Sequence, residues 1–109
     1  MPRPGDVIVA DFPGATGVKR RPSIVVSTDV YHAHRPDVGI SLLTTQIASA
    51  TTPTDHVLQD WAAAGLRRPS AARCFLATLP SADVVVRGRL SDRDWLEVQA
   101  RLRIALAVV

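Results

Sequence analysis

The sequence predicts a small, mainly β domain: a barrel of five to six short strands with one α-helix packed on it at the C-terminal end. Three observations lead there. Short runs rich in β-branched residues are punctuated by glycine and proline at close intervals. Helical periodicity over more than one turn occurs only after Leu90. A length of 109 residues with 47% hydrophobic content fits a single ordered domain, 1–109, with no internal repeat and no linker.

The first strand is Asp6 to Phe12, a valine-rich stretch between Pro4-Gly5 and Pro13-Gly14. Pro13 to Arg20 reads as a glycine-rich loop. Ser23 to Ser27 is the second strand, built on Ile24-Val25-Val26. Asp29 to Pro36 is polar and aromatic and reads as a loop. Val38 to Thr45 is the third strand, and Gln46 to Thr54 an exposed connection around Pro53. His56 to Leu58 is a short fourth strand. Asp60 can cap a helical turn over Trp61 to Ala64 that Gly65 ends. Ala72 to Leu79 is the fifth strand, with Cys74 a small core residue on it, and Val84 to Val86 a short sixth.

Ser91 can cap the C-terminal helix, with Asp94 in the place of a capping-box acid and Leu90 and Trp95 spaced as a hydrophobic staple. Trp95, Val98, Leu102, Ala105, Leu106 and Val109 follow at helical spacing. The end of the chain, Ala107 to Val109, reads as part of that core or interface helix.

Bulk chemistry narrows the function. Net charge is +3 with a pI near 10.0. Twelve of the thirteen basic residues are arginine, the side chain best shaped for bidentate phosphate contact. A GC-rich genome would produce the same bias. The single cysteine excludes an internal disulfide, and no base stands near it in sequence to activate it. The N-terminus carries no secretory signal, and no stretch approaches the ~20 apolar residues of a membrane span. A cytoplasmic protein is the simplest expectation. His32, His34 and His56 form no metal-ligand pattern, so no metal or other cofactor is expected. The histidines read as surface residues, with His32 or His34 a candidate nucleic-acid contact. Serine-hydrolase and paired-carboxylate signatures are missing. Trp61 can be a core plug or a base-stacking platform.

What remains is cationic. Lys19, Arg20 and Arg21 follow the glycine-rich loop and precede Pro22. Adjacent like charges repel one another and gain little unless an anion binds. The residue before proline is held extended, so Arg21 is aimed from a fixed position. A second polar cluster, Thr44-Thr45-Gln46, closes the third strand. If the second and third strands pair antiparallel, Arg21 and Thr44 are neighbours. A guanidinium beside a hydroxyl can hold a phosphodiester and stabilise its transition-state charge. The alternative is that Thr44 and Thr45 are there only because they favour strands.

These residues resemble those of the MazF/PemK/Kid toxins of type II toxin–antitoxin systems, over nearly the whole chain. Pro4-Gly5-Asp6-Val7 to Asp11-Phe12 is similar to the family's R-G-D-V/I opening strand. Arg21-Pro22 and Ile24-Val25-Val26-Ser27 are similar to its R-P motif and following strand, and Leu42 to Gln46 to its T-x-Q motif. Each motif is weak alone, and the order and spacing carry the resemblance. The family's opening arginine is replaced by Pro4, with Arg3 just before it.

The resemblance implies an SH3-like barrel, a homodimer, and a metal-independent endoribonuclease that cuts single-stranded mRNA at selected sequences. By motif, the implied catalytic pair is Arg21 and Thr44. Lys19, Arg20, Thr45, Gln46 and His34 are then expected RNA contacts. The implied reaction is attack by the ribose 2′-hydroxyl on the adjacent phosphorus, leaving a 2′,3′-cyclic phosphate. The implied partner is an acidic antitoxin protein. The loops 31–36 and 46–54, which would set the cleaved sequence, match no family pattern. Two other readings fit the same fold: a gyrase poison like the related CcdB toxin, which acts through its C-terminal residues, and an inactive module that binds nucleic acid or antitoxin.

Overall fold

The computed structural model describes residues 1–14 and 17–108. Its centre is one curled, six-stranded antiparallel sheet: β1 (Asp6–Gly14), β2 (Gly17–Val25), β3 (Asp37–Thr44), β4 (His56–Val57), β5 (Ala71–Pro80) and β6 (Val85–Arg89), in the spatial order β4-β5-β3-β2-β1-β6. A short helix α1 (Asp29–His34) joins β2 to β3, and α2 (Asp92–Ala105) ends the fold. The expected class, a small mainly β barrel with a C-terminal helix, is the one observed, its sheet curled into a half-barrel.

Strand alternation gives the sheet two apolar faces. Val7, Ile24, Leu43 and Val98 share one core cluster, against which Trp61, Trp95 and Leu102 pack. Ile8, Ala10, Val25, Val38 and Ile40 form a second cluster on the other face, with Phe12, Leu42 and Leu79 against it. Trp61 is therefore half-buried against the core.

Several local expectations are corrected. β2 begins at Gly17, so residues 17–20 are strand and not loop. Gly14 pairs with Gly17 in the β1–β2 ladder; Ala15 and Thr16, in the anticipated loop, lie outside the described residues. Asp29 to His34 is helical because the Thr28 side chain accepts from the Tyr31 amide and caps it. His32 in that helix is buried beside Ser27, whose hydroxyl is hydrogen-bonded to its Nε2. His56 is buried too. Neither is a surface residue.

The α2 cap forms only half of the expected box. Ser91 Oγ accepts from the Asp94 amide at 3.3 Å. The buried Asp94 carboxylate points away, accepting from the Gln59 and Asp60 amides at 2.9 and 2.8 Å and from His56 Nε2 at 2.9 Å. Burial opposes its charge, but these donors outweigh burial and hold its pKa below the usual carboxylate value. Asp60 does not cap the turn after it. Its carboxylate receives Ser91 Oγ and a bidentate fork from Arg93, each at 2.6 Å. Both aspartates tie the helix start to the 59–65 turn. Past Ala105 the chain leaves the helix, and Leu106, Ala107 and Val108 are exposed, so this end is not a core helix. Val109 lies outside the described residues.

Candidate functional site

The order of side chains along β2 decides the layout. Arg20 and Arg21 are consecutive strand residues, so they project from opposite faces of the sheet. The cationic run is therefore divided, and not one cluster at a strand mouth. On the β1 side, Arg21 lies opposite Ala10, Arg20 opposite Asp11, and Lys19 opposite Phe12. On the other side, β2 pairs with β3 from Ser23↔Leu42 to Val25↔Ile40. Pro22 has no amide hydrogen to extend that ladder. The ladder ends there, and two residues further the same spacing brings Arg21 beside Thr44.

Those two residues do line one hollow, of about 890 Å³. Its walls are apolar: Phe12, Leu42, Ala77 and Leu79 from one face of the sheet, and Phe75. Thr44 Oγ1 accepts the Gln46 amide at 3.1 Å, which orients the hydroxyl and leaves its hydrogen free to donate outward. Arg73 also lines this hollow. Its Nε donates to Asp55 Oδ1 at 3.4 Å, so its charge is largely matched. Burial disfavours the Asp55 carboxylate, yet hydrogen bonds from Thr52 and the charge of Arg73 keep its pKa below the usual value. Arg21 is in no ion pair among the described residues. The hollow thus offers one uncompensated guanidinium, one free hydroxyl and aromatic walls. Among its described lining residues there is no imidazole and no carboxylate.

Arg73 and Phe75 reach the hollow through a β-bulge. The β3–β5 register shifts between Ser41↔Leu76 and Leu43↔Ala72, so Arg73, Cys74 and Phe75 together face Leu42. Cys74 sits at φ 55° in the middle, a left-handed conformation uncommon outside glycine. It is half-buried, not a core strand residue, and its thiol donates to the Thr54 carbonyl at 3.3 Å. Burial and the nearby Asp55 charge push its pKa up, so it is no activated nucleophile. The bulge turns Phe75 outward, leaving it 68% exposed at the hollow.

A second hollow, of about 600 Å³, lies on the side to which Arg20 points. Arg20, Arg67, Arg68 and Arg87 line it, with Thr45 and the buried Ser70. Here too a bulge supplies an arginine. The β1–β6 register shifts between Val7↔Gly88 and Ile8↔Val86, and Arg87 is the extra residue. Arg20 meets Asp11 at 3.5 Å in an exposed pair. Arg67, Arg68 and Arg87 meet no carboxylate among the described residues.

The anticipated contacts therefore separate. Arg21 and Thr44 share the first hollow; Arg20 and Thr45 share the second. Lys19 is exposed on Arg21's side of β2, and Gln46 is exposed just past Thr44, but neither lines a hollow. His34 is exposed at the end of α1, away from both linings. Sequence reasoning missed Arg73, Phe75 and Arg87, which only bulges bring in. Phe12 and Leu42 could have been found, because strand alternation puts them on Arg21's side.

The family and the fold are both matched among known proteins. The profile of the family described as the PemK-like, MazF-like toxin of type II toxin–antitoxin systems matches residues 3–106. The chain belongs to the PemK/MazF toxin family. No curated protein sequence matches it. Among solved structures, a mycobacterial endoribonuclease in complex with its cognate antitoxin superposes with a TM-score of 0.81 at 21% identity, covering 100% of this chain and 98% of that one. The Mycobacterium tuberculosis toxin MazF-mt6 gives 0.75 at 22% identity, covering 92% and 94%. A MazE–MazF structure from Deinococcus radiodurans gives 0.77 at 16%, covering 99% and 98%. At these identities the likeness establishes the shared fold.

Proposed function

We infer that this PemK/MazF toxin is an endoribonuclease that cuts single-stranded RNA without a metal ion. The observation that carries the reading is that Arg21 and Thr44 line one hollow whose walls can hold bases. Single-stranded RNA suits it, because its unstacked bases can be splayed onto Phe12 and Phe75. A guanidinium does not give up its proton near neutral pH. Arg21 therefore acts as an electrostatic clamp on the phosphoryl oxygens, and Thr44 donates a hydrogen bond to the same group. The 2′-oxygen attacks phosphorus, the 5′-oxygen departs, and a 2′,3′-cyclic phosphate and a 5′-hydroxyl remain. The 2′-hydroxyl proton goes to water, and the departing 5′-oxygen takes one from water. Lys19, Gln46 and His34 serve as outer RNA contacts. The working unit is a homodimer in the cytoplasm, inhibited by an acidic antitoxin drawn to the arginines by charge.

Purified protein should cut single-stranded RNA in EDTA and leave cyclic-phosphate ends. Uncut RNA beside well-folded protein would sink the reading. The exposed chain end at Leu106 to Val108 supports a second one, a gyrase poison acting through its C-terminus. In that case DNA supercoiling is blocked and RNA stays intact.

A further inference from the structure

We propose that the second hollow, lined by Arg20, Arg67, Arg68 and Arg87, binds phosphates of the RNA strand outside the cut site. The proposal rests on the ribonuclease reading above. The hollow's composition is the first argument. Four arginines line about 600 Å³, and among the described residues one of them alone meets a carboxylate, across 3.5 Å at the surface. Such an arrangement costs self-repulsion unless an anion enters, and the planar fork of arginine matches a phosphate edge.

The wall is built and not incidental. The 61–65 turn rests directly on β6. A Cβ on Gly88 would overlap the Ala64 carbonyl, and one on Gly65, at φ +89°, would lie 2.9 Å from the Arg87 carbonyl. That approach brings Arg67 and Arg68, just past the turn, over Arg87. The Asp94 carboxylate anchors the other end of the turn through the Gln59 and Asp60 amides.

The occupant follows from how the two hollows connect. The β2–β3 ladder stops at Ser23↔Leu42, while β2 continues back to Gly17. That stretch of the β2 edge, at Arg20 and Arg21, thus makes no ladder pair with β3. A chain crossing that edge leaves Arg21 and Thr44 on one face and meets Arg20 and Thr45 on the other. A polyanion with regularly spaced charge and a flexible backbone fits this path, which is what single-stranded RNA supplies. The four arginines outnumber the apolar lining side chains Val9, Pro22 and Leu66, which favours a polyanion dense in charge over an acidic peptide that needs apolar anchors for its ordering cost.

The test uses 2′-methoxy RNAs, which cannot be cut, of about five and about fifteen nucleotides, a range typical of single-strand sites. Their affinities are measured for the wild-type protein and for an Arg67→Gln/Arg87→Gln variant of unchanged melting temperature. The long-to-short affinity ratio should fall about tenfold in the variant. The salt slope for the long RNA should drop by about 0.7 for each phosphate that is no longer neutralised. An unchanged ratio overturns the proposal. So does an unchanged ratio accompanied by weaker poly-glutamate binding, which would assign the hollow to an acidic protein segment. The ribonuclease reading fails separately, through absent cleavage of ordinary RNA by the wild type.

Discussion

The two hollows on either face of β2 are built on one plan and lined differently. Each takes one arginine from β2, one threonine from the end of β3 and one arginine from a bulge: Arg21, Thr44 and Arg73 on one face, Arg20, Thr45 and Arg87 on the other. The first has aromatic and aliphatic walls, and its bulge arginine is matched by Asp55. The second has two further arginines and no matched bulge charge among the described residues. A guanidinium in a half-apolar site can single out one phosphate and stabilise charge developing on it. Four guanidiniums in an open site attract polyanion without selecting a reacting group. Neighbouring residues of one strand thus meet different surroundings because the pleat sends them to opposite faces.

The sharpest way to break this comparison is to exchange the roles of neighbours. Arg21→Ala should lower RNA cleavage about 10²–10³-fold, the scale of losing one transition-state donor, with Thr44→Val next in size. Arg20→Ala and Thr45→Val should instead weaken RNA binding several-fold, with a smaller salt slope. Equal losses in kcat from Arg20→Ala and Arg21→Ala would remove the distinction.

Stability changes can then address each hollow alone. Gly88→Ala forces the 61–65 turn off β6 and should cost about 1–3 kcal/mol in urea unfolding. Its functional effect should fall on long-RNA binding, not on the cleavage step. Asp94→Asn acts on the same wall from the other side. It weakens a buried carboxylate that accepts three hydrogen bonds, for about 1–3 kcal/mol.

The sign of the pH dependence follows from Asp94 and Asp55. Both have folded-state pKa values below their ordinary ones. Their contribution is complete above the unfolded carboxylate pKa of about 4 and is lost as pH falls through the lower folded values. Acid titration of urea midpoints should show a drop below about pH 4 that is smaller in Asp94→Asn. A midpoint flat with pH in the wild type would contradict it. The smallest effect belongs to the first hollow's bulge. Cys74→Val places a β-branched residue at φ 55° and should cost about 1–2 kcal/mol, moving Phe75 and impairing cleavage more than long-RNA binding.

Much of the fold was legible along the chain. β-Branched runs bounded by glycine and proline located all six strands, because strand burial and turn chemistry are local properties. Ser91, Leu90 and Trp95 announced α2 for the same reason. That Arg21 and Thr44 come near one another was legible too, since β2 and β3 are antiparallel neighbours, although their ladder stops at Ser23↔Leu42. Asp29 to His34 was less so: a six-residue helix depends on one cap, and its polar sequence carries no periodicity.

The sequence by itself determined that the second and third strands run antiparallel and so bring Arg21 near Thr44. Only the tertiary structure decided that Arg20 belongs to a different surface from Arg21. Likewise, only it decided that Arg73 and Phe75 enter the first hollow, and Arg67, Arg68 and Arg87 the second. The reason is physical. Alternation along a strand is local, but whether each face meets a core, a bulge or solvent depends on pairings between residues far apart in the chain. A bulge, too, exists only relative to the partner strand that it outruns.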